Sequence, residues 1–486
     1  MSQTAGSPPP PADAIAPVRE ARAKPAPRRG GLDRREFLSA AALAALSMPA
    51  ISYARIFGAN QRLNVAYIGV GGIAGGQHIA PLAGLGAGAP CYCDADAARW
   101  GAAAERWSAA EGFTDYRRMF DERHKDFDAV MVGTPDHHHY PATIIAMMHG
   151  KHVYTQKPLT HTVWEARQLA LAQQKYKVAT QMGNQGHASE DLRKTIDYLR
   201  SGAIGDLVEA HVWTDRPWWR QGMARPEGEQ PVPEKLDWDA WIGPAPMRPF
   251  RHDPADRWGG LYHPFNWRGW WDFGCGALGD MACHEMDPVY WAMEPGYPTS
   301  IELAHGEPIG DAEMYRKEST VKYEFGAKAE RPGFALFWHE GGRKPEPPEE
   351  LQAEWAAEGN QAGFPGEGAL YLGTKGKMVA LPHAKAPPRL LPRSRHEEYG
   401  PPPQMIERSD GHHKEWYDAC TGDKPFDHPK SNFAYAGPFT ETVLLGCIAQ
   451  KTGGKLTYDG SRVTNNEAAN ALLTKEYREG WEFRME

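Results

Sequence analysis

Asp280 and His284 stand four residues apart in Gly276-Ala277-Leu278-Gly279-Asp280-Met281-Ala282-Cys283-His284-Glu285-Met286-Asp287. On a helix this spacing puts a carboxylate and an imidazole on one face, within reach of each other. The carboxylate can then fix the imidazole tautomer and raise its pKa, which makes His284 a proton-transfer group near neutral pH. A second constellation is Gly69-Val70-Gly71-Gly72-Ile73-Ala74, directly after the apolar run 63–68. Gly69 permits a tight turn, Gly71 lets backbone approach a pyrophosphate, and Ala74 stands where a helix must pack closely on a sheet. Gly72 and Ile73 open that helix, whose free N–H groups favour phosphate. Asp94 ends the run 90–93, 25 residues after Gly69. There a carboxylate accepts hydrogen bonds from a ribose diol and repels a 2'-phosphate, which favours NAD over NADP. His137-His138-His139 forms a third cluster. Three consecutive residues do not easily converge on one ion, and no Cys or carboxylate is suitably spaced beside them. No metal site is expected, and the cluster reads as a polar loop at the mouth of the nucleotide crevice.

The elements that must position these groups follow from periodicity. Helices are expected over residues 73–85, 97–107, 141–149 and 162–174, with strands at 63–68, 90–93, 129–132 and 152–155 between them. Thr162 and Glu165 give the last helix a capping box. Strands alternating with helices imply a doubly wound parallel sheet over residues 62–183, with its ligand at the carboxyl ends of the strands. A second domain is expected over residues 184–486. It starts with a helix at 189–199 capped by Ser189 and a strand at 207–213. Further strands are expected at 320–325 and 333–338, and a hairpin over 369–381 turning at Thr374-Lys375-Gly376. An apolar helix is expected over 439–450, after Pro438. Residues 341–366 and 383–405 are rich in Pro, Gly and Glu and read as exposed connections.

Nine of the 17 Trp fall between Trp213 and Trp271, where periodic apolar runs are few. The segment 213–271 reads as a long folded excursion. Sugar C–H faces pack on aromatic rings while hydroxyls need polar partners, so Trp beside Arg, His and Asn suits a carbohydrate site. Arg216, Trp218, Trp219, Arg220, His263, Asn266 and Arg268 are the candidates.

Three stretches have matching order and spacing: Gly133-Thr134-Pro135-Asp136-His137-His138-His139, then Gly150-Lys151-His152-Val153-Tyr154-Thr155-Gln156-Lys157-Pro158-Leu159, then Asp280-Met281-Ala282-Cys283-His284. Together they resemble the Gfo/Idh/MocA family, which includes inositol dehydrogenases and glucose-fructose oxidoreductase. The resemblance covers residues 62–486 and is specific to the family, not to a substrate. It implies a Rossmann domain followed by an α/β domain whose open, largely antiparallel sheet often forms the subunit contact, hence a homo-oligomer. It also implies that Lys157 lies near the nicotinamide and substrate, with Thr134, Pro135, His139 and Gln185 on the nicotinamide side. The family's Glu-Lys-Pro appears here as Gln156-Lys157-Pro158, so the lysine is kept and a neighbouring countercharge is lost. The implied reaction passes a hydride from a sugar-like secondary alcohol to NAD, with His284 taking the proton and Lys157 and Asp280 assisting.

The chain has 486 residues, 24% of them charged, with a net charge of −8 and six Cys. That length calls for more than one core. The acidic balance argues against a nucleic-acid partner, and six Cys cannot staple a disulfide framework. Residues 1–54 resemble a twin-arginine (Tat) export signal: Arg34-Arg35 precede an Ala/Leu stretch shorter than the roughly 18–20 residues that span a bilayer. Cleavage near Ala54, engagement of the Tat machinery, an exported or periplasmic location and no transmembrane segment in the mature chain are therefore expected. Tat carries folded proteins, which fits a cofactor acquired before export and held tightly. Three activities suit these features: a dehydrogenase of sugars or cyclitols, a redox-neutral glycosidase or epimerase that uses bound NAD transiently, and a non-catalytic sugar binder.

Overall fold

A computed structural model describes residues 62–485 apart from 73, 254, 255, 257–259, 330, 360–362, 384 and 385. Residues 1–54, where an export signal is expected, Ile73 and Trp258 lie outside the described residues. Short apolar runs dominated by strand formers make the first sheet. β1 (Val65–Ile68), β2 (Cys91–Cys93), β3 (Glu111–Phe113), β4 (Ala129–Val132), β5 (His152–Thr155) and β6 (Thr180–Met182) pair in the order β3-β2-β1-β4-β5-β6. Every pairing is parallel. The order reverses between β1 and β4, the switch point where ligands of such sheets bind. The Thr162–Glu165 capping box forms and starts the helix Val163–Tyr176.

The helix expected from residue 73 is a π-helical turn, Ala74–His78, running into Ile79–Gly84. Three-residue β3 and β6 were not expected, because a strand of that length shows too little alternation to register.

The second sheet has eight strands: β7 (Leu207–Trp213), β8 (Ser300–His305), β9 (Ser319–Phe325), β10 (Phe334–Glu340), β11 (Gly368–Gly373), β12 (Lys377–Leu381), β13 (Ala386–Leu391) and β14 (Lys455–Thr457). Their order is β13-β12-β11-β7-β10-β9-β8-β14, and only β7 and β10 run parallel. The expected α/β class, with a parallel sheet followed by a largely antiparallel one, is the class observed.

Two expectations need correction. Residues 341–366 and 383–405 are not plain connections: they contain the helices Glu349–Glu358 and Arg393–Tyr399 and the strand β13. Pro348 lies at the first helix's N-cap, where a missing N–H costs nothing, and Pro387 and Pro388 sit on an edge strand, where ladder donors are dispensable. The apolar helix runs Phe433–Thr452, so Pro438 lies inside it. Asn432 caps that helix by accepting from the Ala434 N–H, while Pro438, in the second turn, gives up one i→i−4 hydrogen bond without ending the helix. Gly437 lets this helix press on Val163–Tyr176, since a Cβ there would meet the Ala170 Cβ at 2.9 Å. The contact ties the second domain to the first.

The Trp-rich segment builds its own core. Trp238, Trp241, Trp267 and Trp270 pack with Leu236, Phe250, Leu261, Tyr262, Phe273 and Met314. Trp238 and Trp241 stack with ring centroids 4.8 Å apart. Among the described residues no helix is long and apolar enough to cross a membrane.

Candidate active site

The glycine turn closes tightly on the sheet. Gly69 has φ +78°, and a Cβ on it would strike the Gly133 backbone at 2.7 Å. Gly133 in turn leaves room for Ala74, whose Cβ would lie 2.7 Å from one on Gly133. These contacts hold the start of the helical segment against β4, and a cavity of about 600 Å³ opens beside it. Gly69, Gly71, Gly72, Asp94, Thr134, Pro135, Lys157 and Asp280 all line this cavity. Its volume falls within the range of about 300–1,000 Å³ usual for ligand sites.

Asp94 ends β2 and is satisfied by backbone amides: Val70 and Gly71 N–H donate to Oδ2 and Asp96 N–H to Oδ1, each at 3.1 Å. Burial nevertheless raises its pKa, against those amides. The Trp-rich segment straps this end of the cavity. Ala97 N–H donates to Lys235 O, Asp237 N–H donates to Ala95 O, and Asp96 bridges Leu236. His263, from the same segment, meets Asp96 Oδ2 at 2.8 Å.

At the other end, Lys157 Nζ donates to the Asp280 carbonyl at 2.7 Å and to Oδ1 at 2.8 Å. Arg268 Nε donates to the same Oδ1 at 3.3 Å. Burial alone would raise the Asp280 pKa, but the Lys157 and Arg268 cations win and hold it well below the usual carboxylate range. Asp280 thus supplies the countercharge that position 156 lacks. The Gln156 side chain turns away and meets His78 Nε2 at 2.6 Å. Asp136 lines the cavity nearby, accepts from Cys275 N–H, and is pushed up to about 7, chiefly by burial.

Several expectations change. Asp280 does not bond to His284: Lys157 and Arg268 take its oxygen, and His284 Nδ1 has no hydrogen-bond partner. Burial lowers the His284 pKa far below 6.5 rather than raising it. His284 lies one helical turn from Asp280 and outside the cavity lining, with its ring 4.9 Å from that of His383.

The triple histidine is no polar loop. His137 and His138 meet the Trp241 carbonyl at 3.1 and 2.8 Å, and all three rings are buried. His139 stands between Pro158 O at 2.7 Å and Thr134 O at 2.9 Å. It braces the cavity wall and does not line it. Burial brings His138 to about 3 and His139 to about 4. Gln185 meets Gln77 and His78 at 3.4 Å and also lies outside the lining.

Of the carbohydrate candidates, His263 and Arg268 reach the cavity, His263 at the Asp94 end. Arg216 pairs instead with Glu367 and Asp215 and lies under Trp218. Trp219 is buried with its Nε1 donating to Gln221, and Arg220 pairs with Asp253 and Asp256. Asn266 holds Gly260 O and Asp256 and is fully buried. Arg99, Trp241 and Trp267 line the cavity and were not anticipated. Arg99 alone carried a signal, as a base five residues after the ribose-side carboxylate.

The residues present fit a dinucleotide. Gly69 has no room for a side chain against the Gly133 backbone, the Arg99 side chain lies against Gly71, Asp94 stands at the strand end, and Thr134 Oγ1 lies in the cavity wall with no hydrogen-bond partner.

A model of the oxidoreductase family's NAD-binding Rossmann fold matches residues 63–184, and a model of its C-terminal α/β domain matches 207–329, together more than half of the chain. The chain belongs to the Gfo/Idh/MocA oxidoreductase family. Among curated relatives, the rhizopine catabolism protein MocA of Rhizobium meliloti is 29% identical over 94 residues, 19% of this chain and 30% of the relative. An α-N-acetylgalactosaminidase of Shewanella oneidensis is 31% identical over 98 residues, 20% of this chain and 21% of the relative. The matches therefore span about a fifth to a third of these relatives.

Solved Gfo/Idh/MocA-like folds align over most of the chain. The WlbA dehydrogenase of Bordetella pertussis, in complex with NADH and UDP-GlcNAcA, has a TM-score of 0.53 at 16% identity, covering 82% of this chain and 99% of that one. The aldose-aldose oxidoreductase of Caulobacter crescentus, complexed with glycerol, has a TM-score of 0.51 at 14% identity, covering 82% and 100%. At these identities the likeness establishes the fold.

Proposed function

We propose that this Gfo/Idh/MocA oxidoreductase transfers a hydride between a nicotinamide dinucleotide and a secondary alcohol of a sugar, cyclitol or glycoside. The observation that carries the reading is the Lys157–Asp280–Arg268 cluster in the wall of the cavity that also holds the glycine turn. The bound nicotinamide would supply the hydride chemistry. Lys157, oriented by Asp280, hydrogen-bonds the substrate oxygen where negative charge develops, and Arg268 adds a second positive charge. His284 lies outside the cavity lining and burial keeps it uncharged, so it takes no direct part in the proton transfer as the side chains stand. Gly69, Gly71, Gly72 and Ala74 hold the pyrophosphate, and Thr134 and Pro135 flank the nicotinamide. The sugar class is supported by relatives that act on aldoses, sugar nucleotides and glycosides by name.

NAD is preferred over NADP because Asp94 opposes a 2'-phosphate, against the pull of Arg99. The strap from residues 235–237 to the Ala95–Ala97 segment supports tight retention. That same strap favours a second reading, a redox-neutral glycosidase or epimerase in which Lys157 assists the proton movement and no net oxidation occurs. Export through the Tat machinery and assembly into a homo-oligomer complete the proposal.

Mass spectrometry of the folded protein for retained nucleotide, followed by a saccharide screen in deuterated water, tests it. Net reduced nucleotide supports the dehydrogenase. Solvent deuterium in product without net redox supports the cycling enzyme. Neither, with sugar binding intact, would leave a binding protein and defeat both. Cell fractionation and sizing check location and assembly.

A further inference from the structure

A second polar cluster lies at the C-terminal end of the helix Gly276–Glu285. Glu285, its last residue, is fully buried, yet neither carboxylate oxygen has a hydrogen-bond partner. A buried carboxylate with no side-chain hydrogen bond, offset only by the charge of Arg216 and the nearby His383 backbone, is costly, so it points to a missing cation.

The sheet brings the rest of the cluster to it. Gly368 pairs with Trp213 and Ala369 with Ala380, so the start of β11, the end of β7 and the end of β12 meet at one end of three interior strands. Glu367 precedes β11, Arg216 follows β7, and His383 follows β12. Glu367 Oε2 meets His383 Nδ1 at 2.7 Å, and its other oxygen is held by Arg216. One ligand atom each from Glu285, Glu367 and His383 all lie within 4.8 Å of one another.

We propose that Glu285, Glu367 and His383 bind a divalent transition-metal ion, Zn²⁺ in the first instance. Two carboxylates and an imidazole are hard-to-borderline donors that suit zinc, cobalt or manganese. Two carboxylates against the one Arg216 guanidinium leave a net negative charge for the ion to neutralise. Arg216 orients Glu367 through the oxygen that does not ligate, as outer-shell partners of metal carboxylates do. Donors bonded to one zinc at about 2.0–2.2 Å stand roughly 3.3 Å apart, so the set draws inward as the ion replaces the Glu367–His383 hydrogen bond. The His383 side chain is 41% exposed and gives the ion a way in. Three protein ligands leave a coordination position for water or a sugar oxygen. The site departs from the metal-free expectation because its ligands come from three distant segments and carry no local spacing signal.

Full-length protein stripped with chelator and titrated with Zn²⁺ by calorimetry is expected to take up one equivalent. Co²⁺ in its place should develop a visible absorption band that Zn²⁺ abolishes. Glu285→Gln, isosteric and buried, and His383→Ala, near the surface, should each weaken Zn²⁺ binding at least tenfold, while His305→Ala, a solvent-exposed control, leaves it unchanged. Circular dichroism establishes that each variant is folded. Absence of saturable binding in the wild type would overturn the site, as would unchanged affinity in both ligand variants. None of these readouts depends on nucleotide or turnover, so a negative result leaves the proposed hydride transfer standing.

Discussion

The helix Gly276–Glu285 carries two carboxylates five residues apart whose surroundings differ in kind. Asp280 faces the cavity and is saturated by Lys157 from the parallel-sheet domain and Arg268 from the Trp-rich segment. Glu285 lies beside Glu367 and His383, at the ends of interior strands of the second sheet, with no side-chain hydrogen bond. Asp94 offers a third solution, satisfied by backbone amides. Burial disfavours the charged form of all three, and what surrounds each decides the outcome: two cations keep Asp280 ionised, while burial still raises Asp94 against its amides and Glu285 against Arg216.

Substitutions can break this comparison. The largest effect is expected from Lys157→Met, which removes the cation at the developing alkoxide and should lower kcat by about 10²–10⁴ while nucleotide binding persists. A loss below tenfold in steady-state turnover would detach Lys157 from the chemistry.

Next, the same chemical change at the two carboxylates should act with different sign. Asp280→Asn strands the Lys157 ammonium, whose side chain is 7% exposed, and should cost about 3 kcal/mol in urea unfolding. Glu285→Gln without metal should be neutral or slightly stabilising, because burial already pushes this carboxyl towards the uncharged form that Gln mimics. Equal destabilisation by both would erase the contrast.

A pH titration sharpens it within one cavity. Asp136 rises to about 7 on folding, so its protonated form is favoured in the native state. Stability from this group is full below the ordinary carboxylate pKa near 4 and is lost as pH rises through 7, with a slope of at most about 1.4 kcal/mol per pH unit. Asp280 is depressed, so its contribution is present above pH 4 and is lost only in strong acid. Asp136→Asn should therefore flatten the fall in stability between pH 4 and 7, as read by thermal unfolding across that range.

The smallest effect belongs to Asp94. Asp94→Ser should move the NADP-to-NAD affinity ratio towards NADP by roughly tenfold, or 1.4 kcal/mol, measured by competitive binding. An unchanged ratio would mean that Arg99 or the strap sets the preference.

Local signals made much of the first domain legible. β4 and β5 lie where their apolar runs predicted, the Thr162–Glu165 box starts its helix, and Thr374-Lys375-Gly376 turns the β11–β12 hairpin. The glycines, Asp94, Thr134, Pro135, Lys157 and Asp280 come together in one cavity because each sits at the end of a strand or in a motif whose geometry is fixed by its neighbours in sequence. The second domain was harder to read. Trp219 and Asn266 look like sugar ligands by type, but they anchor a segment with few periodic runs, so burial and hydrogen bonding claimed them first.

By itself the sequence determined the α/β class, the glycine turn and the carboxylate Asp94, because chain geometry over a few residues settles these, and the family motif added Lys157. Only the tertiary structure decided which cation meets which carboxylate. The i, i+4 spacing offered Asp280 to His284, but Lys157, from 123 positions away, reaches it as a buried ammonium with a stronger charge. Likewise, no local spacing foretold that Glu285 would end a helix beside Glu367 and His383 at the ends of interior strands. Such partnerships are set by how two sheets and a Trp-packed segment enclose low-dielectric space, and that is a property of the whole fold.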